Sequence, residues 1–191
     1  MLVACLGDSI TAGSPLWDPD PVVRRQISEP DERSQWQWWA ARAAPELDFR
    51  NHGVCGERTD QIAARFEGAV EGAEVLIVQG GINDVVQNRT VEEAARNLAG
   101  MIERGQGLGL RVAVADVLPW NNGDARAEQD IVRLNQLVRA IADDLGVPLL
   151  PFHDTLADPQ RPHRMRDEWT DDGNHPSVEG HRLLGERAFR T

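Results

Sequence analysis

Lysine and tyrosine are both absent from this chain, and all 20 basic residues are arginine. Without lysine there is no P-loop lysine, no Schiff-base amine and no serine–lysine dyad. Without tyrosine there is no phenolic acid or base. Cysteine occurs twice, at Cys5 and Cys55, too few for a disulfide framework in a chain of this size. Both are expected to pack as small apolar groups, with pairing left open. Positive charge is scarce: 20 basic residues against 31 acidic ones give a net charge of -11. Such a chain repels phosphate backbones, which argues against a nucleic-acid partner. No apolar run approaches the roughly 20 residues of a membrane helix. The sequence opens on a core strand and not on a basic, then apolar, leader, so a cytoplasmic protein without a membrane span is expected. His153, His163 and His181 show no ligand spacing with Cys or carboxylates, so no metal site is expected.

What is present reads as one ordinary globular domain over residues 1–191, with 41% hydrophobic and 27% charged residues. Short apolar runs alternate with helical patterns, which predicts an α/β sandwich around a parallel sheet. The strands are expected at 2–6, 47–51, 74–79, 111–118 and 147–152. Helices are expected at 32–44, with Trp36, Trp39, Ala40 and Ala43 inward, and from Thr59 as a cap to about Glu67. Others are expected from the Thr90/Glu93 capping box to a stop at Gly105, over 124–145, and from Ser177 to Phe189. The Gly105-Gln106-Gly107-Leu108-Gly109 spacing precedes a strand and reads as a helix stop, not as a nucleotide fingerprint. Residues 11–31 read as a long loop carrying Trp17, and 153–171 as irregular; both are candidates to shape a pocket. Trp120 and Trp169 lie beside rim loops, where pocket lining and plain packing are both open. Arg161, Arg164 and Arg166 are expected to pair on the surface with Asp158, Asp167 and Glu168.

In an open parallel sheet, chemistry gathers at the carboxyl ends of the strands. Three such ends carry Ser9, Gly53 and Asn83, and a polar cluster with Asp172 and His175 precedes the last helix. Ser9 can be a nucleophile or simply a helix cap. As a nucleophile it needs a base, and the imidazole of His175 is the best candidate. Asp172, three residues earlier, is spaced to orient that imidazole better than Asp171. The N–H groups of Ser9 and Gly53 and the amide of Asn83 are candidate oxyanion donors. Asp8 and Asp84 read as turn or cap residues, and His52 as structural.

Gly7-Asp8-Ser9, Gly53, Gly81-Ile82-Asn83-Asp84 and Asp172-Gly173-Asn174-His175-Pro176 resemble, in order, the four blocks of the SGNH (GDSL-type) hydrolases. The one departure is Ile10, where the family name has Leu. The resemblance implies a three-layer, flavodoxin-like α/β/α sandwich with a five-stranded parallel sheet in the order 2-1-3-4-5. It implies hydrolysis of a small-molecule ester without metal or cofactor. Ser9 would be the nucleophile, His175 the base and Asp172 its partner, with Ser9, Gly53 and Asn83 forming the oxyanion hole. A serine esterase acting on small or medium carboxylic esters through an acyl-enzyme is therefore expected. A carbohydrate O-deacetylase and a non-catalytic ligand-binding module are the alternatives.

Overall fold

The computed structural model describes residues 1–188. The chain starts with β1 (Leu2–Gly7), α1 (Ser9–Ala12), α2 (Pro21–Arg24), α3 (Trp36–Ala43) and β2 (Asp48–Gly53). It continues through α4 (Thr59–Ala64), α5 (Phe66–Ala69), β3 (Val75–Val78), α6 (Ile82–Val86), α7 (Val91–Gly107) and β4 (Arg111–Ala115). Then come α8 (Ala125–Leu145), β5 (Leu149–Leu150), α9 (Phe152–Leu156), β6 (Ala157–Asp158), β7 (Arg161–Met165) and α10 (Val178–Glu186). Five strands form one sheet in the order β2-β1-β3-β4-β5, and every pairing in it is parallel. This is the expected fold and strand order.

Period-two alternation sends successive side chains of each strand to opposite layers. Ala4, Leu6, Leu76, Val78, Val112 and Val114 pack on one face with Leu98, Met101 and Ile102 of α7 and Leu134 and Val138 of α8. Val3, Cys5, Ile77 and Ala115 pack on the other with Trp36 of α3 and Leu183 and Leu184 of α10. Both faces are covered over the centre of the sheet, which is why β1 and β3 read as near-continuous apolar runs. Trp36 is fully buried and makes edge contacts with Phe49 and Phe152 at centroid distances of 6.3 and 5.6 Å. Such contacts add about 0.5–1.5 kcal/mol beyond burial.

Several local expectations are corrected. The helix predicted at 32–44 is a 3₁₀ turn at Glu32–Ser34 followed by α3. Its inner face is Trp36, Gln37 and Ala40, while Ala43 is exposed and Trp39 only half-buried. Polar Gln37 turns inward because its amide donates to the buried carbonyl of Thr11 at 2.9 Å. Thr59 does not cap α4: its hydroxyl and N–H both go to Asp84, at 2.8 and 2.9 Å. That helix also stops at Ala64, before a separate turn, α5. The α7 helix runs through Gly105 to Gly107, because the bare Gly105 fits against Val112 and Leu76. The loop at 11–31 contains α2, and the segment at 153–171 contains α9, a small antiparallel pair β6–β7 and a 3₁₀ turn. The third, fourth and fifth sheet strands are shorter than expected, and β2 runs two residues further, to Gly53. The expected end of the last helix, Phe189, lies outside the described residues. Cys5 is buried as expected, but Cys55 is exposed, and both thiols are free.

Candidate active site

β1 delivers Ser9 to the rim. The strand ends at Gly7, where an added Cβ would sit 2.2 Å from Thr11 Oγ1, so only glycine allows the sharp turn into α1. Asp8 caps that turn, its Oδ1 accepting from the Ile10 N–H at 2.9 Å, as a turn Asp is expected to do. The side-chain amide oxygen of Gln79, just past the end of the neighbouring strand β3, accepts from Thr11 Oγ1 at 2.8 Å and from the Asp8 N–H at 3.4 Å. Gly13 closes α1 in the left-handed region at φ 100. Ser9 is thus 7% exposed on a fully buried turn. Burial pushes the Asp8 carboxyl up to about 6, against opposing hydrogen bonds from Ile10 and Gln79 and the charge of His175.

His175 reaches Ser9 from a loop before α10. Its Nε2 lies 3.1 Å from Ser9 Oγ, and its Nδ1 lies 2.7 Å from Asp172 Oδ2. The other Asp172 oxygen accepts from the Asn174 and His175 N–H groups, each at 2.8 Å. Burial raises the Asp172 pKa, but the bonds from the His175 ring and from the two backbone N–H groups outweigh it. The carboxyl ends below its ordinary value and stays ionised at neutral pH. Asp171 makes no such bond; burial and the neighbouring Asp172 charge raise it. The loop is tied down by Thr170 Oγ1, which donates to the His175 carbonyl at 2.7 Å and accepts from the Gly173 N–H at 2.9 Å. From the α8 side, Asn122 donates to the Asp172 carbonyl at 2.8 Å, and the Trp120 indole donates to Asn174. Trp120 therefore braces the loop that carries His175. Arg161 pairs with Asp158 and Asp167 and Arg166 with Glu168, as expected, whereas Arg164 pairs with Glu128 at 3.8 Å and donates to the backbone carbonyls of Trp120 and Asn121 beneath this loop.

Asn83 stands in the first turn of α6, behind Gly81 at φ 117. Its Nδ2 donates to the Glu57 carbonyl at 3.0 Å, leaving its second amide hydrogen available. Gly53 does not fit the donor role expected of it. Its N–H is spent on Asn51 Oδ1 at 2.9 Å. A Cβ there would lie 2.1 Å from Ala12 N, so Gly53 is glycine to let α1 cross over β2. The glycine that lines the cleft is Gly56, at φ 78. No described residue accepts from the N–H groups of Gly56 or Ser9. The sequence signal for Gly56 was the second glycine of the Gly53–Gly56 pair. Arg65 braces this loop: it pairs with Glu57 at 2.7 Å and donates to the His52 and Gly7 carbonyls at 3.1 and 3.2 Å.

Ser9, Asn83, Gly56 and His175 line one cleft of about 470 Å³, with Ser14, Pro15, Trp17, Asp18, Val23, Ile27 and Cys55 forming its walls. The 11–31 segment thus shapes this cleft, as expected of it, whereas 153–171 does not line it. A hollow of about 600 Å³ among Met1, Leu47 and Val147, at the opposite strand ends, contains no serine or histidine. Among the described residues, no three His, Cys, Asp or Glu side chains gather closely enough to hold a metal ion, and no helix is long and apolar enough to cross a membrane. A hydroxyl, an imidazole and a carboxylate hydrogen-bonded in series, beside free N–H donors, are the parts that acyl transfer requires.

The profile of the GDSL-like lipase/acylhydrolase family matches residues 5–183. No curated protein sequence matches significantly. A G-D-S-L family protein from Desulfitobacterium hafniense superposes with a TM-score of 0.82 at 21% identity, over 99% of this chain and 98% of that one. TesA superposes with a TM-score of 0.75 at 20% identity, over 100% and 97%. A variant of Axe2, an acetyl xylan esterase from Geobacillus stearothermophilus, gives 0.74 at 18% identity, over 98% and 92%.

Proposed function

Since the chain belongs to the GDSL-like lipase/acylhydrolase family, we propose that it is a serine esterase acting on small or medium carboxylic esters through an acyl-enzyme. The observation that carries this reading is the unbroken relay from Asp172 through His175 to Ser9, at 2.7 and 3.1 Å, opening on the cleft.

In the proposed mechanism His175 Nε2 takes the Ser9 hydroxyl proton as Oγ attacks the ester carbonyl carbon. The Asp172 carboxylate holds the Nδ1–H tautomer and stabilises the imidazolium that forms. The N–H groups of Ser9 and Gly56 and the Asn83 amide receive the developing oxyanion. These donors are already oriented in a half-buried cleft, where they act more strongly than in water. The proton on Nε2 then passes to the departing alkoxide and the ester C–O bond breaks. A water, deprotonated by the same nitrogen, attacks the acyl-enzyme and releases the acid and Ser9. A cleft of about 470 Å³ suits a ligand at the small end of the usual pocket range of about 300–1,000 Å³.

The test is hydrolysis of 4-nitrophenyl acetate and labelling by a fluorophosphonate probe. Turnover and a covalent adduct on Ser9 are expected of the natural chain, and neither of Ser9→Ala. Undiminished turnover by Ser9→Ala would remove Ser9 from the mechanism. A natural chain that is neither active nor labelled would favour a non-catalytic binding module. Rates on acetylated sugars against nitrophenyl esters of increasing chain length separate a carbohydrate O-deacetylase from a general esterase.

A further inference from the structure

Among the described residues, one acidic side chain lines the cleft without a charged partner. Asp18 is 6% exposed and stands in the cleft wall with Ser14, Trp17 and Cys55. Its Oδ1 is occupied by the Asp20 N–H at 2.8 Å, a bond that shapes the entry into α2. Among the described residues its Oδ2 has a single partner, the Cys55 thiol at 3.5 Å. A thiol is a weak donor. Partial desolvation of the thiol against the cleft wall, with the nearby Asp18 charge adding to it, raises the Cys55 pKa, so the sulfur stays a neutral S–H although the residue as a whole is exposed. Arg24, the nearest cation in this segment, does not neutralise the carboxylate. Its guanidinium lies 4.4 Å from the Trp17 ring centroid and donates to the backbone carbonyl of Asp18. A carboxylate withdrawn from water with one oxygen so poorly served is costly unless a stronger donor arrives. Pro15, Val23 and Ile27 in the other walls offer apolar contact only.

Resting on the esterase reading above, we propose that Asp18 is the specificity-determining residue of the cleft. Its Oδ2 accepts a hydrogen bond from a hydroxyl or ammonium group on the substrate and repels substrates bearing a carboxylate. The Ser14 hydroxyl, 2.7 Å from Cys55 Sγ, extends this polar strip along the wall. The substrate class is therefore an ester with a hydrogen-bond donor a few atoms from the scissile bond, not a plain hydrocarbon ester. Rejection of a partner that leaves a buried polar group unpaired discriminates more strongly than apolar fit does.

The experiment compares the natural chain with Asp18→Asn, which keeps the oxygen that receives the Asp20 N–H and removes the charge. Matched aryl esters carry no substituent, a hydroxymethyl group or a carboxylate, in one set on the alcohol part and in a second set on the acyl part. In one of the two sets the natural chain is expected to prefer the hydroxyl ester to the carboxylate ester at least tenfold in kcat/KM. Asp18→Asn is expected to bring that preference within threefold, by lowering kcat/KM on the hydroxyl ester and raising it on the carboxylate ester. A preference that the substitution leaves intact in both sets, or an equal loss on all esters, would overturn the inference while the esterase reading stands. If the natural chain cleaves none of the esters, the esterase reading fails, and this inference with it.

Discussion

Ser9 and His175 face each other across 3.1 Å, yet their seats are built by opposite means. The seat of Ser9 is core. Asp8 and Thr11 are fully buried, and Gly7 and Gly53 are glycines because neighbouring atoms fill their Cβ positions. The seat of His175 is a surface loop. Its side chain is 22% exposed and that of Asp172 39%, and a handful of hydrogen bonds from Thr170, Asn122 and Trp120 hold them. Packing therefore fixes one end of the relay and hydrogen bonding the other. Changes on the Ser9 side should be felt in stability, and changes on the His175 side in turnover alone.

The largest effect is expected on the loop side. Asp172→Asn keeps an oxygen for the two backbone N–H groups but loses the charge that sets the His175 tautomer. A fall in kcat of about 10³–10⁴-fold is expected, the scale of losing a triad carboxylate. The thermal midpoint should stay within about 2–4 °C, the shift that corresponds to roughly 1 kcal/mol in a chain of this size. Steady-state kinetics beside a melting curve check both. A large drop in midpoint would mean that this loop, too, is part of the folding core.

Asn83 tests the donors between the two seats. Asn83→Ala is expected to lower kcat by about 10²–10³-fold with little change in KM, because an oxyanion bond matters most in the transition state. A pure KM effect would place Asn83 in ground-state binding. Some structural cost accompanies the change, since Nδ2 also ties down the Glu57 carbonyl. A melting curve separates that part.

Gly53 and Gly56 sharpen the contrast, because they are three residues apart and are expected to fail differently. Gly53→Ala places a methyl 2.1 Å from Ala12 N, against backbone that cannot rotate away. Overpacking of this kind costs about 3 kcal/mol, or about 6–12 °C in midpoint. At Gly56 an added Cβ meets nothing within 4 Å, and only the positive φ of 78 resists. Gly56→Ala should therefore cost about 1–2 kcal/mol and lose proportionally more turnover as its N–H tilts from the cleft. Equal melting points with unequal rates in the opposite sense would return the donor role to Gly53.

These two glycines also mark where the sequence stops being legible. The strand-to-glycine pattern placed Gly53 on the rim, but the choice between it and Gly56 depends on α1 crossing β2, a contact between residues some 40 positions apart. The sheet core and Ser9 were readable because local apolar runs and Gly7 carry them. The β6–β7 pair was not: Arg161–Met165 reads RPHRM, with a proline and no alternation, so neither strand signal applies. The bonds of Arg164 to the carbonyls of Trp120 and Asn121 were not legible either, since carbonyls carry no sequence signature, and its ion pair with Glu128 joins segments that only the folded chain brings together. Asp84 was legible as a polar turn residue, but its clasp on Thr59 joins two helix starts that only the folded chain brings together.

The most gradual effect, one that grows with falling pH, lies beneath the His175 loop, in α10. His181 is fully buried, and neither ring nitrogen has a hydrogen-bond partner among the described residues. Burial, aided by the His175 charge, pulls its pKa down from 6.5 to about 3. A base with a depressed folded pKa leaves stability unaffected above its unfolded pKa and erodes it as pH falls, because only the unfolded chain takes up the proton. The erosion should begin near pH 6.5 and continue towards pH 3, at up to about 1.4 kcal/mol per pH unit. Asp8 acts with the opposite sign: its raised carboxyl favours the fold below about pH 4, and that contribution fades as pH rises towards 6. Comparing the natural chain with His181→Leu cancels the Asp8 contribution, which both proteins share. Urea unfolding at pH 7.5, 6.0 and 5.0 should show the variant gaining on the natural chain as pH drops, with the gap absent of slope above pH 7. Parallel curves throughout would mean that the imidazole finds a proton partner in the folded state, and that even this helix belongs to the adaptable side of the molecule.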